Sequence, residues 1–109
     1  MKLAVGERYV LLDILPKEGS YTTLKIVRKL REALSFSEED VKAFKLEEIP
    51  LGDGKINIRW DLTAPDAEIA IGEKATDIIV RALQELDKQG TLTDREFSLY
   101  AKFIEPAAI

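Results

Sequence analysis

The chain has 109 residues, of which 46% are hydrophobic and 33% charged, and its formal net charge at pH 7 is −4. This balance predicts one soluble, ordered domain over residues 1–109 and excludes a long disordered chain. The chain has no cysteine and no histidine, which excludes disulfides, thiolate or imidazole metal sites, and the general base that enzymes use most often.

Two helices are predicted at the start of the chain. Residues 6–15, GERYVLLDIL, are dense in apolar side chains, and a proline and a glycine soon follow to end the first helix. Ser20 or Thr22 provides a cap for the second helix, over residues 22–34. Its apolar residues recur at three- and four-residue steps and predict an amphipathic helix: Leu24, Val27, Leu30 and Leu34.

The segment SFSEEDVKAF predicts a short third helix, over residues 38–45. Ser37 is placed to cap it, with Asp40 at the third helical position, and Phe36 and Val41 stand at the two positions of a hydrophobic staple. The acidic run at its start suits the positive end of the helix dipole.

A change of period follows, which predicts strands. The segment KINIRWDL alternates strictly and places on one face Ile56, Ile58, Trp60 and Leu62. The preceding Gly-Asp-Gly is typical of a hairpin turn, and LEEIPL, with Pro50, fits the partner strand at an edge. AEIAIG predicts a third strand with Ile69 and Ile71 inward. The sequence therefore predicts a three-stranded antiparallel sheet.

The longest helix is predicted over residues 73–88, with Gly90 just past its end. Its broad apolar face consists of Ala75, Ile78, Ile79, Ala82, Leu83 and Leu86.

The last helix is predicted over residues 94–104. Thr93 and Glu96 fit a capping box, and Leu92 and Phe97 stand at the positions of a staple. Its predicted apolar stripe contains Phe97, Tyr100, Ala101 and Ile104.

The elements together predict an α+β fold, with about five helices and a small three-stranded antiparallel sheet in the middle of the chain. The order of helix, helix, short helix and strands also fits a winged helix-turn-helix. A recognition helix must be basic or polar enough to enter the major groove, whereas SEEDVKAF, which occupies the position of that helix, is acidic. We therefore rank DNA binding second among the possible functions.

Charge is distributed unevenly along the chain. Residues 1–34 carry a net charge of +3 and the remaining 75 residues carry −7. The segment KIVRKLR brings several cations together on one helix, and Tyr21 beside the cap is the tyrosine that we most expect at the surface. The candidate binding residues are therefore Lys25, Arg28, Lys29, Arg31 and Tyr21. For these cations an ordinary solvated helix face is favoured over a binding surface.

No motif predicts catalysis or a cofactor. The glycines form neither of the two common phosphate-binding patterns, and GDGKINIRWD lacks the ligand spacing of a calcium loop, so a hairpin turn is favoured there. Trp60 falls on the apolar face of its strand, which favours packing over a binding platform. We expect no catalytic residue, no metal ligand and no cofactor, and therefore a protein that is not an enzyme.

Two stretches carry a resemblance to known proteins: LPKEGSYTTLKIVRKLREALSFSEED and GEKATDIIVRALQELDKQGTLTDREFSLYAKFI. In its general sequence pattern the chain resembles small proteins of unassigned role that bacteriophages and prophages encode. The resemblance implies an accessory factor that binds a host or viral macromolecule, with counter-defence as one role. It implies no site residue.

We therefore expect a non-catalytic interaction protein that binds a host or viral protein, with a homo-oligomer left open. The alternatives are a winged-helix DNA-binding protein and an oligomeric binder of an anionic small ligand. The N-terminal segment has charges that interrupt any signal-like apolar run, and no stretch approaches a membrane span of about 18 apolar residues. We expect a cytoplasmic location and no membrane partner.

Overall fold

A computed structural model describes residues 1–61 and 63–104, with the side chains of Lys55 and Ile56 left out. The predicted α+β class and five helices are confirmed within these ranges. In chain order the elements are β1 (Lys2–Leu3), α1 (Val5–Ile14), α2 (Tyr21–Leu34), α3 (Glu38–Ala43), β2 (Glu47–Gly52), β3 (Lys55–Arg59), β4 (Ala67–Glu68), α4 (Glu73–Gln89) and α5 (Asp94–Phe103).

Local capping residues set the helix ends close to their predicted positions. The Ser20 hydroxyl accepts a hydrogen bond of 3.1 Å from the backbone N–H of Thr23 at the start of α2. At α3, Ser37 and Asp40 exchange hydrogen bonds between side chain and backbone, which completes the predicted capping box. Gly90 ends α4 in the left-handed conformation with φ of 70°.

The prediction of one three-stranded sheet is wrong. Strands β2 and β3 pair antiparallel, with Glu47 opposite Arg59, but β4 pairs with β1 at the start of the chain. The N-terminal ammonium of Met1 helps to hold this pairing, because it donates at 2.9 Å to both Glu68 Oε1 and the Ile69 carbonyl. A two-residue strand has no period to recognise, so β1 left no signal in the sequence.

One hydrophobic core joins β1, β4, α1, α2, α4 and α5, which we call the helical body. The predicted inward residues of α2 and α4 supply much of it, and β1 adds a leucine that the sequence did not point to. In the described part of the chain, the large side chains that are fully buried are Leu3, Leu11, Leu15, Leu34, Ile79, Leu83 and Leu99. Burial of this kind is the main source of stability, at about 25 cal/mol per Å² of apolar surface.

The remaining elements, α3 and the β2–β3 hairpin, form what we call the arm. Its described side chains are half-buried or exposed, and Leu51 near the hairpin turn is 61% exposed. Aromatic rings join the arm to the body: Phe36 stacks on Tyr9 with centroids 4.8 Å apart and meets Phe44 edge-on at 6.5 Å.

The sole tryptophan also joins the arm to the body. Trp60, predicted to pack inward with Ile58, is half-buried, and so is Ile58. A Cβ on Gly6 of α1 would stand 3.0 Å from Trp60 Cζ2, so this glycine permits the close approach. The predicted inward positions Leu62 and the Ile56 side chain lie outside the described residues.

The predicted apolar stripe of α5 is partly wrong. Phe97 is 74% exposed, whereas Tyr100, Ala101 and Ile104 are half-buried. The buried residues of α5 are Glu96 and Leu99. The helix is rotated relative to the hydropathy prediction because its buried face includes a carboxylate whose charge is satisfied by hydrogen bonds.

Candidate partner-binding groove

A groove of about 610 Å³ runs along the outer face of α2, beside the turn that joins α1 to α2. Ser20 starts the helix at this turn, so the first residues of α2 form one end of the groove. Its lining residues are Pro16, Lys17, Tyr21, Leu24, Lys25, Val27, Arg28 and Arg31.

Four cations line the groove, and among the described residues no carboxylate does. Lys25 and Arg28 are exposed and stand one turn apart on α2. Arg31 is held in place, since its Nη1 donates to the Leu12 carbonyl at 3.2 Å. Glu32 follows one turn beyond Arg28, outside the lining. The groove is therefore a positively charged surface on a protein of negative net charge.

Apolar groups lie between these cations. Pro16, Leu24 and Val27 provide the floor, and Val27 is also part of the hydrophobic core. Tyr21, the first residue of α2, is 83% exposed. A large exposed aromatic side chain beside an apolar floor is typical of a surface that buries area against a partner.

Four of the five predicted binding residues come together in this groove: Tyr21, Lys25, Arg28 and Arg31. Lys29 does not join them, because it lies on another side of α2, where it lines a depression with Lys74 of α4. Lys17 also lines the groove and is not among the predicted binding residues. It precedes α2 and reaches the groove only because the turn brings it alongside the helix.

Among the residues that the structure describes, three charged residues are buried, and the first of them supports the fold. Arg8 donates from Nε to the Leu34 carbonyl at 3.1 Å and from Nη2 to the Ser35 carbonyl at 2.7 Å. Its guanidinium also lies 3.9 Å from the centre of the Phe36 ring. Arg8 therefore satisfies carbonyls at the C-terminal end of α2, where a cation is favoured by the helix dipole.

Glu7 is the second buried charge, and it fastens α5 to α1. Its carboxylate accepts from Lys102 Nζ at 2.6 Å, Ser98 Oγ at 2.9 Å and the Ala4 N–H at 2.9 Å. Burial raises the pKa of Glu7, but these hydrogen bonds and the Lys102 charge outweigh it and hold the pKa below its ordinary value. The group stays ionised near neutral pH and is a poor general acid.

Glu96 is the third buried charge and belongs to the start of α5. Its carboxylate accepts from the Thr93 N–H at 3.1 Å, from the Thr93 hydroxyl, and from Arg95 Nε at 3.1 Å. Burial raises the pKa of Glu96, and these contacts lower it further than burial raises it. One hydrogen bond of the predicted capping box, from the Thr93 N–H to the Glu96 carboxylate, is confirmed. Glu96 therefore has a structural role at the start of α5.

A second cleft, of about 560 Å³, lies between the ends of α1, α2, α4 and α5. Its apolar wall includes Ile14, Ile78 and Leu86, but its rim carries charges of both signs. Asp13 and Arg95 pair there at 2.6 Å, so part of this charge is already neutralised. The described lining of the basic groove carries charge of one sign, and the groove is therefore the better candidate for binding a charged partner.

Comparisons of the chain with profiles of known protein families, with curated proteins and with solved structures gave no match. Within residues 1–61 and 63–104, no helix is both long and apolar enough to cross a membrane. Over the same ranges, no three acidic side chains group as a metal site would require. The groove is therefore the feature of the described residues from which we infer a function.

Proposed function

We propose that the protein is a non-catalytic interaction protein, a phage-type accessory factor that binds a host or viral protein in the host cytoplasm. The observation that carries this proposal is the groove, which joins four cations, an apolar floor and the exposed Tyr21 on one face. The resemblance to phage and prophage proteins supports the accessory role, with counter-defence as one form of it.

The chemistry of the groove supports a partner rather than a reaction. Lys25 and Arg28 are exposed to solvent, whereas catalytic lysines commonly lie in desolvated pockets. The chain offers no histidine or cysteine to act beside them. Charges around an apolar centre instead favour binding, because the charges steer association and the apolar contact holds the complex.

Affinity capture tests this proposal. The purified protein is used as bait in a host lysate with nuclease present, at low and moderate salt, beside an unrelated bait of similar size and charge. We expect a discrete protein, identified by mass spectrometry, that survives nuclease and saturates at micromolar concentration. Recovery of no specific protein under these conditions would contradict the proposal.

A second candidate function, DNA binding by a winged helix, is favoured by the order of elements. Helices α1, α2 and α3 are followed by the β2–β3 hairpin, as in that class. The acidic start of α3 opposes this candidate, because Glu38 and Glu39 would face phosphates. The candidate predicts duplex binding that falls steeply with salt, and salt-insensitive or absent binding removes it.

A further inference from the structure

We infer that the groove binds an acidic, amphipathic helical segment of the partner, with carboxylates at three- and four-residue steps around an apolar side chain. This inference rests on the proposed function and names the partner chemistry of the same site. It is carried by the spacing of the cations, by the apolar floor and by the distribution of charge outside the groove.

The spacing of the cations matches a helix. Lys25, Arg28 and Arg31 follow one another at three-residue steps along α2. At a rise of about 1.5 Å per residue, each step is about 4.5 Å along the axis. This row of three-residue steps runs obliquely around α2, so a partner helix that crosses α2 along the row, with carboxylates at positions i, i+3 or i+4 and i+7, brings one carboxylate near each cation.

The apolar floor of the groove predicts that the partner helix carries an apolar side chain between those carboxylates. Leu24 is half-buried and Pro16 is half-buried at the turn, so each leaves apolar surface open to a partner. Tyr21 adds an exposed ring at the end of the groove. Helix-in-groove recognition commonly uses such anchors, and the anchors supply most of the binding free energy.

Charge outside the groove favours a short acidic segment over a nucleic acid. A duplex carries one negative charge per about 1.7 Å along its axis and extends well past a groove of this size. The chain beyond residue 34 carries a net charge of −7, and α3 starts with Glu38, Glu39 and Asp40 just after α2 ends. A long polyanion would meet this repulsion, whereas a short segment confined to the groove would not.

A designed peptide tests the inference directly. The probe is a fluorescein-labelled helical peptide of about 16 residues, long enough to form a helix when bound, with Glu at the matching steps around Leu anchors. Two control probes replace every Glu by Gln or every anchor Leu by Ser, and a fourth is a labelled DNA duplex. Binding of each probe is followed by fluorescence anisotropy at about 50 and 200 mM salt.

Charge-reversed variants locate the binding. Lys25→Glu with Arg28→Glu reverses two exposed charges in the groove. Lys29→Glu with Lys74→Glu makes the same change of net charge outside it. Tyr21→Ala removes the exposed ring, and far-UV circular dichroism confirms that every variant is folded.

We expect the acidic peptide to bind the wild-type protein and the Lys29 and Lys74 variant alike. We expect at least about tenfold weaker binding to the Lys25 and Arg28 variant, equivalent to about 1.4 kcal/mol, and weaker binding to Tyr21→Ala. Both control peptides should bind weakly. The inference is overturned if the peptide fails to bind, if both double variants lose affinity equally, or if the duplex binds more tightly.

The lysate capture separates this inference from the proposed function. If wild-type bait retains a specific protein and the Lys25 and Arg28 variant retains it equally, the groove inference fails and the proposed function stands. If no bait retains a specific protein, the proposed function fails.

Discussion

The helical body and the arm use apolar residues in different ways. In the body, large aliphatic side chains from five elements meet in one core, and several of them have no exposed surface. In the arm, the described apolar residues are at most half-buried, and contact with the body depends on Tyr9, Phe36, Phe44 and Trp60. Most of the stability should therefore reside in the body.

The groove lies on the stable region. Helix α2 turns Val27, Leu30 and Leu34 into the core, while Tyr21 and Lys25 lie on its exposed side. A surface on a well-packed helix is pre-organised, so little conformational entropy is lost when a partner binds. Changes of charge in the groove should alter binding and leave the fold intact.

The largest expected effect is that of truncating the body core. Leu83→Ala removes a fully buried side chain from α4 and should lower the free energy of unfolding by about 2–5 kcal/mol. Leu51→Ala, in the arm, should change it by at most about 0.5 kcal/mol. Urea unfolding followed by circular dichroism measures both values. Equal losses would contradict the assignment of stability to the body.

The next effect is expected at Arg8, which links α1 to the end of α2. Arg8→Met keeps much of the volume but leaves the Leu34 and Ser35 carbonyls without their donor, at a cost of about 1–3 kcal/mol. Arg8→Lys keeps the charge but cannot reproduce the fork of two donors, so it should recover only part of the loss. A full recovery with lysine would show that charge alone matters.

A smaller effect is expected from Glu7 and depends on pH. Because its pKa is lowered in the folded protein, its stabilising contribution is present above the unfolded value of about 4.3 and is lost as the pH falls through the folded value. Glu7→Gln should cost about 1 kcal/mol at pH 7 and weaken the decline of stability below pH 5. Urea midpoints from pH 3 to 7 test this. An unchanged pH profile would contradict it.

A small change of stability, of either sign, is expected at Gly6, where body and arm touch. In Gly6→Ala, the higher helix propensity of alanine stabilises α1 by up to about 1 kcal/mol. The new Cβ would crowd Trp60 at 3.0 Å, which opposes this gain. The net change in the free energy of unfolding should therefore stay within about 1 kcal/mol. The emission of Trp60 should shift as the ring moves. Gly72→Ala is the control for the Trp60 emission alone, since a Cβ there meets nothing within 4 Å. Unchanged Trp60 emission in Gly6→Ala would count against this contact.

Local signals explain what the sequence predicted well. The bounds of α2, α4 and α5 agree with prediction to within one residue, because caps and apolar periodicity act over a few neighbouring positions. The pairing of β1 with β4 joins residues more than sixty positions apart and depends on two residues of each strand. Such a contact depends on the packed body and has no pattern of its own.

Buried charges explain the other differences. Hydropathy places charged residues on the outside, whereas Glu7, Arg8 and Glu96 are buried because helix ends and neighbouring side chains satisfy them. The rotation of α5 that exposes Phe97 follows from this. The groove shows the same difference between local geometry and tertiary packing. Helix geometry predicts that Lys25 and Arg28 lie close together, whereas the position of Lys17 depends on how the turn packs.

The most direct test is chemical-shift mapping of the ¹⁵N-labelled protein during titration with the acidic peptide. We expect the perturbed amides to cluster at the α1–α2 turn and along the face of α2 that carries Tyr21, Lys25 and Arg28. The Trp60 indole signal and the β2–β3 amides should stay unchanged. Perturbations centred on the arm, with α2 unaffected, would contradict binding in the groove.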